Sequence, residues 1–271
     1  MSGILALPEG CIAAVISFTG PRDACRLACV STTFRSAADS DTVWDRFLLP
    51  ENLSAISDPV SGSSSSTCSV LSKKELYLRT SPSLIQNGKL SFWLDHPSGK
   101  KCYMISAREL GITWAGSDTP QYWRWINDFP EARFPEVAEL RAVCWFQIHG
   151  KIDTSLLSTT TTYAAYLVFK TTDNFFGFDN NPVEVAVGLA RGNVQNRTVY
   201  FDRRQQNIVP GDNPGLFPKE RGDGWLESEL GEFFHISDED GELSMTILGI
   251  NRGNWKHGLV VQGIEMRPKK G

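Results

Sequence analysis

Trp114, Tyr122, Trp123 and Trp125 fall within twelve residues, in a stretch broken by Gly116, Asp118 and Pro120. Aromatic rings carried on loops offer flat apolar surface with polar edges. A sugar ring has an apolar C–H face and equatorial hydroxyls, so a stacking indole beside an amide or a carboxylate suits it. Taken one at a time, each tryptophan reads better as core packing than as a contact, and Trp125, Trp145 and Trp225 are assigned to the core. Other chemistry is thinly represented. His96, His149, His235 and His257 have no ligand spacing, so no metal is expected. No G-x-S-x-G elbow and no Cys/His pair suggests a nucleophile. Asp238-Glu239-Asp240-Gly241 lacks the alternating ligands of an EF-hand and reads as a solvated hairpin turn. Glycosidase chemistry needs two carboxylates facing across a cleft, a pairing that sequence does not reveal. No G-x-G-x-x-G or P-loop string occurs, and no cofactor is expected.

The 271 residues leave room for two domains, or for one large domain with a small attachment. A net charge of −4 offers no basic field to phosphate backbones, so nucleic acid is not an expected partner. No run of about eighteen apolar residues is present, so no membrane-spanning helix is expected. Met1 to Pro8 lacks a basic n-region, and no secretory leader is expected either. Cys11, Cys25, Cys29, Cys68, Cys102 and Cys144 form no disulfide framework, and Cys25-x-x-x-Cys29 has no matching ligand pair. The reducing cytoplasm and nucleus fit this usage best. In that setting the sequons Asn52-Leu53-Ser54 and Asn196-Arg197-Thr198 read as chance.

The elements that would carry these residues change character along the chain. In the first fifty residues apolar positions recur at helical spacing. Ile12, Val15 and Ile16 are expected on one face of a first helix that Gly20-Pro21 ends. Pro21 suits the first turn of a second helix, with Asp23 near its positive end and Ala24, Leu27 and Ala28 along it. Ser31 is expected to cap a third segment bearing Phe34, Ala37 and Ala38. Asp41 is expected to cap a fourth bearing Val43, Trp44 and Phe47. About 45 residues bury little surface of their own. Such a block either completes itself against a partner or caps the larger domain, and pattern alone leaves both open.

Leu7-Pro8-Glu9, Ile12, Ile16, Ala24-Cys25-Arg26-Leu27-Ala28-Cys29-Val30-Ser31, Phe34-Arg35 and Trp44 together resemble an F-box. The resemblance implies docking onto the Skp adaptor of a cullin-containing SCF ubiquitin ligase. Leu7, Pro8, Ile12, Ile16, Leu27, Val30 and Trp44 match the positions that would serve that interface.

Ser57 to Thr67 is a polar, low-complexity stretch that reads as a flexible connection, and it places a linker over 51–70 between an F-box over 1–50 and a domain over 71–271. Lys73 to Leu78 reads as one helix. From Lys89 the signal turns to short strands: Leu90–Leu94 before a turn at Pro97-Ser98-Gly99, then Val143–Ile148, ended by His149-Gly150. Tyr163–Lys170, Val183–Val187, Thr198–Phe201, Leu243–Ile250 and Gly258–Met266 continue the series. β-branched and aromatic enrichment with Gly, Asn, Asp and Pro breaks argues an antiparallel sandwich or barrel.

Blocks at Ser106–Trp114, Pro120–Trp125, Val137–Arg141, Gly222–Glu227, Leu230–Phe234 and Trp255–Pro268 occur in the order seen in the plant phloem lectins, also called Nictaba-like lectins, and the chain resembles that family from about Leu71 to Lys270. The resemblance implies a jelly-roll-like antiparallel β-sandwich binding N-acetylglucosamine oligomers and parts of N-glycans. It assigns the sugar site to Trp114, Trp123 and Glu242. The chain departs at Gly249, where the family's founding member has a second carboxylate. It departs again at Asp202-Arg203-Arg204-Gln205, too weakly basic to match that member's nuclear-import run.

The fold class expected is therefore α+β and multidomain, a small all-α F-box followed by an all-β lectin domain. The function expected is a non-catalytic substrate receptor of an SCF ligase, with the Skp adaptor, the cullin and glycoproteins as partners. Two alternatives stay open: a protein-binding sandwich whose sugar site is degenerate, and a carbohydrate-active enzyme.

Overall fold

The structure is a computed structural model that describes residues 7–48, 72–78, 88–95, 97–127, 129–179, 181–189, 192, 194–204, 216–236, 241–250 and 253–269, together with the backbone of 83–85. The expected linker over 51–70 and the acidic residues of the Asp238–Asp240 turn lie outside these residues. Contacts divide the chain into two compact units, one comprising 1–85 and 92–101, the other 86–91 and 102–271. The first unit thus takes in the 73–78 helix and the turn near Gly99.

In the first unit α1 (Glu9–Ile16) starts after Pro8, whose φ of −54° and ψ of 144° set the chain up to enter the helix. It buries Ile12, Ala13 and Ile16. Val15 points the other way and is exposed, so the expected Ile12–Val15–Ile16 face is corrected to Ile12–Ala13–Ile16. α2 (Pro21–Leu27) begins at Pro21, whose missing N–H has no helical partner to lose there. α3 (Thr32–Asp39) is capped by Ser31, which accepts from Phe34 N at 3.2 Å. α4 (Asp41–Trp44) is capped by Ser40 rather than Asp41, its hydroxyl accepting from Thr42 N at 3.3 Å.

α5 (Lys73–Leu78) adds Tyr77 to this unit. Tyr77 lies 5.2 Å from Trp44 and 6.2 Å from Phe47, and Trp44 and Phe47 meet edge-on at 5.5 Å. Trp44 is fully buried and donates its indole N–H to Ala38 O at 2.7 Å. The helical block accordingly has a core of its own, which the sequence reading undervalued because Tyr77 arrives from beyond its expected end.

β1 (Ser83–Ile85) and β2 (Leu90–Leu94) follow, then the strands of the second unit: β3 (Lys101–Ser106), β4 (Gly111–Ile112), β5 (Trp123–Asn127), β6 (Glu136–Leu140), β7 (Phe146–Asp153), β8 (Thr161–Phe176), β9 (Val183–Leu189), β10 (Val194–Val199), β11 (Lys219–Glu220), β12 (Leu226–His235), β13 (Glu242–Gly249) and β14 (His257–Pro268). One sheet has the order β3-β14-β8-β12-β11, with β6 also on β14 and β5 on β6; the other has the order β10-β9-β13-β7-β4. Every pairing described is antiparallel. The α-then-β order expected from sequence is what the chain forms.

Strict alternation governs the smaller sheet. Phe146, Ile148, Gly150 and Ile152 of β7 turn inward with Leu243, Met245 and Ile247 of β13, while Gln147, His149, Lys151 and Asp153 turn outward. β7 therefore runs straight through His149-Gly150, which the sequence reading took as its end. Gly150 is tolerated because its inward side meets Ile264 Cδ1 and Leu110 Cδ2, where a Cβ would be crowded. On the larger sheet β8 and β14 pair with a bulge between Val261 and Gly263, and a Cβ at Gly263 would strike the Ile105 carbonyl.

A buried ion network lies against the larger sheet. Arg221 bonds Glu227 at 2.9 Å and Glu265 at 3.0 Å; Arg267 bonds Glu227 at 2.6 Å and Glu265 at 2.7 Å. Burial pushes the Glu227 carboxyl up, but hydrogen bonds and charge from Arg267 and Arg221 outweigh it and hold it below the usual carboxylate range. A depressed folded pKa contributes stability above the unfolded value of about 4.3 and loses it as pH falls through the folded value. Glu227→Gln is expected to destabilise the sandwich by about 2 kcal/mol near neutral pH, because it removes charge-assisted hydrogen bonds to both guanidiniums and leaves them to share Glu265. It should also flatten the loss of stability on acidification, as read from denaturant melts between neutral and acid pH. An unchanged acid slope in the variant would show that Glu227 is not the responsible group.

Candidate functional site

Two surfaces carry exposed apolar side chains, one on each unit. The first is built at the end of the sandwich where β4 runs out. Thr113 N donates to Gln147 O at 3.0 Å, continuing the β4–β7 ladder by one residue. Three consecutive carbonyls then find side-chain donors. The indole of Trp123 donates to Thr113 O at 3.1 Å, the hydroxyl of Thr119 to Trp114 O at 2.7 Å, and the indole of Trp125 to Ala115 O at 3.1 Å. Held this way, Trp114 has φ of +69°, a left-handed conformation rarely taken by a bulky residue. Its ring is half exposed and tilts against Tyr122 at 5.8 Å.

Trp123 is 2% exposed and stacks on Phe146 at 6.2 Å. It offers no ring face to a ligand, so its assignment as a sugar-stacking residue is corrected: it positions the loop that carries Trp114. The reason is local. Trp123 and Trp125 lie two apart on β5, on one face, rather than on a loop. Trp125 is half-buried and carries the Arg108 guanidinium 3.7 Å above its ring, with Arg108 bonded to Glu136 at 2.6 Å.

Trp145, assigned from sequence to the core, is instead 49% exposed. It sits just before β7, where its indole donates to Gln147 Oε1 at 3.0 Å. The Thr113 hydroxyl donates to the same oxygen at 3.4 Å. With its oxygen taken by two donors, the Gln147 amide NH2 has no hydrogen-bond partner among the described residues. Trp114, Trp145 and Gln147 thus bring together two exposed indoles and a free amide donor. The signal for Trp145 was the inside-out alternation that starts at Phe146.

Glu242 is not part of this group. It pairs with Asp153 at the far end of β7, six residues from Gln147, roughly 20 Å along a strand. There it bonds Lys151 at 2.6 Å. The sequence-expected trio of Trp114, Trp123 and Glu242 therefore does not converge. Gly249 lies opposite Phe146, and a Cβ there would be 3.1 Å from Phe146 Cδ1 and 3.3 Å from Lys256 Cε. Lys256 is buried, donating to Asn254 O at 2.9 Å and Cys144 O at 3.3 Å, and burial lowers its pKa. The space a longer residue would need at 249 is filled by this lysine.

The second surface belongs to the helical unit. Of the seven expected adaptor positions, Ile12, Ile16 and Trp44 are core residues with essentially no exposed area; as contacts they are corrected to supports. Leu27 is half-buried, and Leu7, Pro8 and Val30 are exposed. Two residues that sequence reasoning did not select join them: Val15 at 49% and Phe18 at 74% exposure. Cys11 and Val15 stand one turn apart on the side of α1 away from its core face, and Leu7 and Phe18, exposed just beyond its two ends, flank them. Arg46 lies 4.2 Å above the Phe18 ring and covers part of it.

Among the described residues, no group of His, Cys, Asp and Glu side chains could hold a metal ion, and no helix is long and apolar enough to cross a membrane.

Comparison with known proteins bears on both surfaces. The F-box domain matches residues 4–46, and phloem protein 2 matches residues 100–268. In Arabidopsis thaliana the chain is similar to F-box protein At2g02240, 48% identical over 97% of this chain and 80% of that one. It is also similar to F-box protein PP2-B10, 45% identical over 98% of this chain and 94% of that one. With F-box protein SKIP3 it shares 40% identity over 98% of this chain and 88% of that one.

The positive φ at position 114 generates a test that needs no ligand. Glycine adopts this conformation without cost, whereas an L-residue gives up about 1–2 kcal/mol there. Trp114→Gly is therefore expected to be more stable than Trp114→Ala by about 1 kcal/mol in thermal or denaturant melts, the reverse of their order in a helix or strand. Equal stabilities would mean that residue 114 does not hold this backbone in solution.

Proposed function

The chain belongs to the family of plant F-box proteins that carry a phloem protein 2 domain, and on that premise we propose that it is a substrate-recognition subunit of an SCF-type ubiquitin ligase whose sandwich captures glycans. Its block over 1–50 docks the Skp adaptor, and through it the cullin, by way of Leu7, Pro8, Val15, Phe18, Leu27 and Val30. The segment over 51–70 is the tether, and 71–271 takes glycoproteins by their N-acetylglucosamine oligomers or N-glycans. The subunit itself is non-catalytic and works in the cytoplasm and nucleus.

The observation that carries the glycan half is Trp114. A bulky apolar side chain is held in a costly backbone conformation, half exposed, by three carbonyl clamps. Strain of this kind persists where the surrounding structure imposes it, and it clusters at active sites, ligand clamps and switch regions. The neighbouring Trp145 and the Gln147 amide supply what a pyranose needs besides, a second apolar plate and a directed donor. A second reading keeps the ligase role and makes this end a protein-binding surface. It is favoured by the burial of Trp123 and the remoteness of Glu242, which leave the family's sugar set incomplete.

Two measurements test the proposal. Phe18→Ala and Val15→Ala together should reduce co-purification with the Skp adaptor by about tenfold or more, equivalent to about 1.4 kcal/mol, with the helical unit still folded. Trp44→Ala should lose the adaptor by unfolding, since it removes a buried indole worth about 3–5 kcal/mol. Full adaptor binding by the Phe18/Val15 double variant would sink the docking assignment. For the sandwich, Trp114→Ala and Trp145→Ala should each weaken binding of N-acetylglucosamine oligomers about fivefold, the effect of about 1 kcal/mol of ring contact. If ubiquitination of a bound glycoprotein persists after its glycans are removed enzymatically, the protein-surface reading replaces the glycan one.

A further inference from the structure

The outward face of the smaller sheet carries a groove of about 480 Å³ lined by Glu184, Val185, Ala186, Asn196, Arg197, Thr198, Thr246 and Leu248. Register arranges the face in rows that cross the strands. Gln147, Leu248, Glu184 and Thr198 stand side by side on β7, β13, β9 and β10; His149, Thr246, Ala186 and Asn196 form the next row. Each row makes three inter-strand steps, roughly 14 Å in all. The first row begins at Gln147, the residue that joins Trp145 to Thr113. Gln147 thus stands beside Leu248, the groove residue nearest the aromatic end in this row.

The chemistry of the groove is distinctive. Its floor is low at Ala186 and Thr246, and its flanks hold a carboxylate, an amide and a hydroxyl from Glu184, Asn196 and Thr198. His149 Nδ1 and Thr246 Oγ1 are already paired at 3.1 Å. Among the described residues no cation pairs with Glu184; the Arg197 guanidinium bonds Glu229 of β12, at 2.8 Å. Backbone groups of β13 and β9 are consumed within the sheet, so a ligand lying on them meets side chains alone. An extended peptide laid across the strands would leave its own N–H and C=O groups unmatched. A ring rich in hydroxyls would not.

We propose that this groove is an extended saccharide subsite next to the Trp114–Trp145 end. It takes a neutral oligosaccharide laid across the strands with its terminal ring on the indoles. Glu184 is the specificity element, accepting from ring hydroxyls and repelling sugars that carry carboxylate or sulfate. The inference rests on the glycan reading of the aromatic end and adds to it a place for the rings beyond the first.

Titration calorimetry on the full chain tests it, with N-acetylglucosamine, its tetramer and a uronic-acid-containing tetrasaccharide as probes. The wild type should bind the neutral tetramer at least about tenfold more tightly than the monosaccharide. Ala186→Trp fills the groove from an outward position and should bring the tetramer down to the level of the monosaccharide, leaving the monosaccharide unchanged. The milder Asn196→Ala/Thr198→Ala pair should lower tetramer affinity about fivefold, and serves if the tryptophan variant fails to fold. Glu184→Gln should raise affinity for the acidic tetrasaccharide about fivefold or more. A tetramer that binds no better than the monosaccharide, or that ignores both groove variants, would overturn the subsite and leave the aromatic end standing. Failure of every saccharide to bind the wild type would remove the aromatic-end reading and the subsite together. Binding of an unglycosylated peptide, blocked by Ala186→Trp, would assign the groove to protein instead.

Discussion

Three backbone carbonyls in succession, those of Thr113, Trp114 and Ala115, are held by side-chain donors from Trp123, Thr119 and Trp125. Indole is well suited to two of those positions because it has a single N–H at the end of a large rigid plate, so packing the plate aims the donor. β5 supplies both plates from one face, and β5 is itself fixed by its ladder to β6 and through β6 to β14. The chain of dependence thus runs from an ordinary antiparallel ladder to two indoles, from the indoles to a strained loop, and from the loop to one exposed ring. Gln147 ties the same loop to the smaller sheet. A binding surface placed where both sheets brace it is more precise than one left to a free loop.

The helical unit solves a different problem with fewer residues. Trp44, Phe47 and Tyr77 form a compact aromatic centre, and the small residues Ala24, Ala37 and Ala38 let the helices close around it. That inner packing uses one side of α1 and leaves Cys11 and Val15 exposed on the other, flanked by Leu7 and by Phe18 beneath Arg46. A helix with apolar residues on both sides has either two neighbours or one neighbour still to come.

How far the sequence was legible depends on which rule a residue obeyed. Helices of the first fifty residues were readable because Pro21 and Ser31 start them by local chemistry, and the chain order of helices then strands followed from composition. Helical period alone did not say which of two apolar stripes is inside; Val15 was placed with Ile12 and Ile16, whereas packing against α3 and α4 selects Ile12, Ala13 and Ile16. Trp123 reads as a loop residue because Pro120 and Gly116 lie close by, yet cross-strand pairing with β6 overrides those breakers three residues after Pro120. β7 was cut short at Gly150 for the same reason, since tolerance of a glycine inside a strand is decided by Ile264 and Leu110, which are remote in sequence. The grouping of Trp114 with Glu242 comes from family likeness, and only register reveals that they stand on opposite sides of β7 and toward its opposite ends.

The uncovered side of α1 has a thermodynamic corollary. A molecule that covered Leu7, Val15 and Phe18 would bind the folded helices and not the unfolded chain, so its concentration would enter the folding equilibrium by mass action. A partner present at about a hundred times its dissociation constant adds about 2.7 kcal/mol to the stability of this small unit, a large fraction of what so few residues can hold. The sandwich, with its own extensive core, receives no such increment directly. One chain would then hold a part that this partner stabilises, joined to a part that the same partner does not.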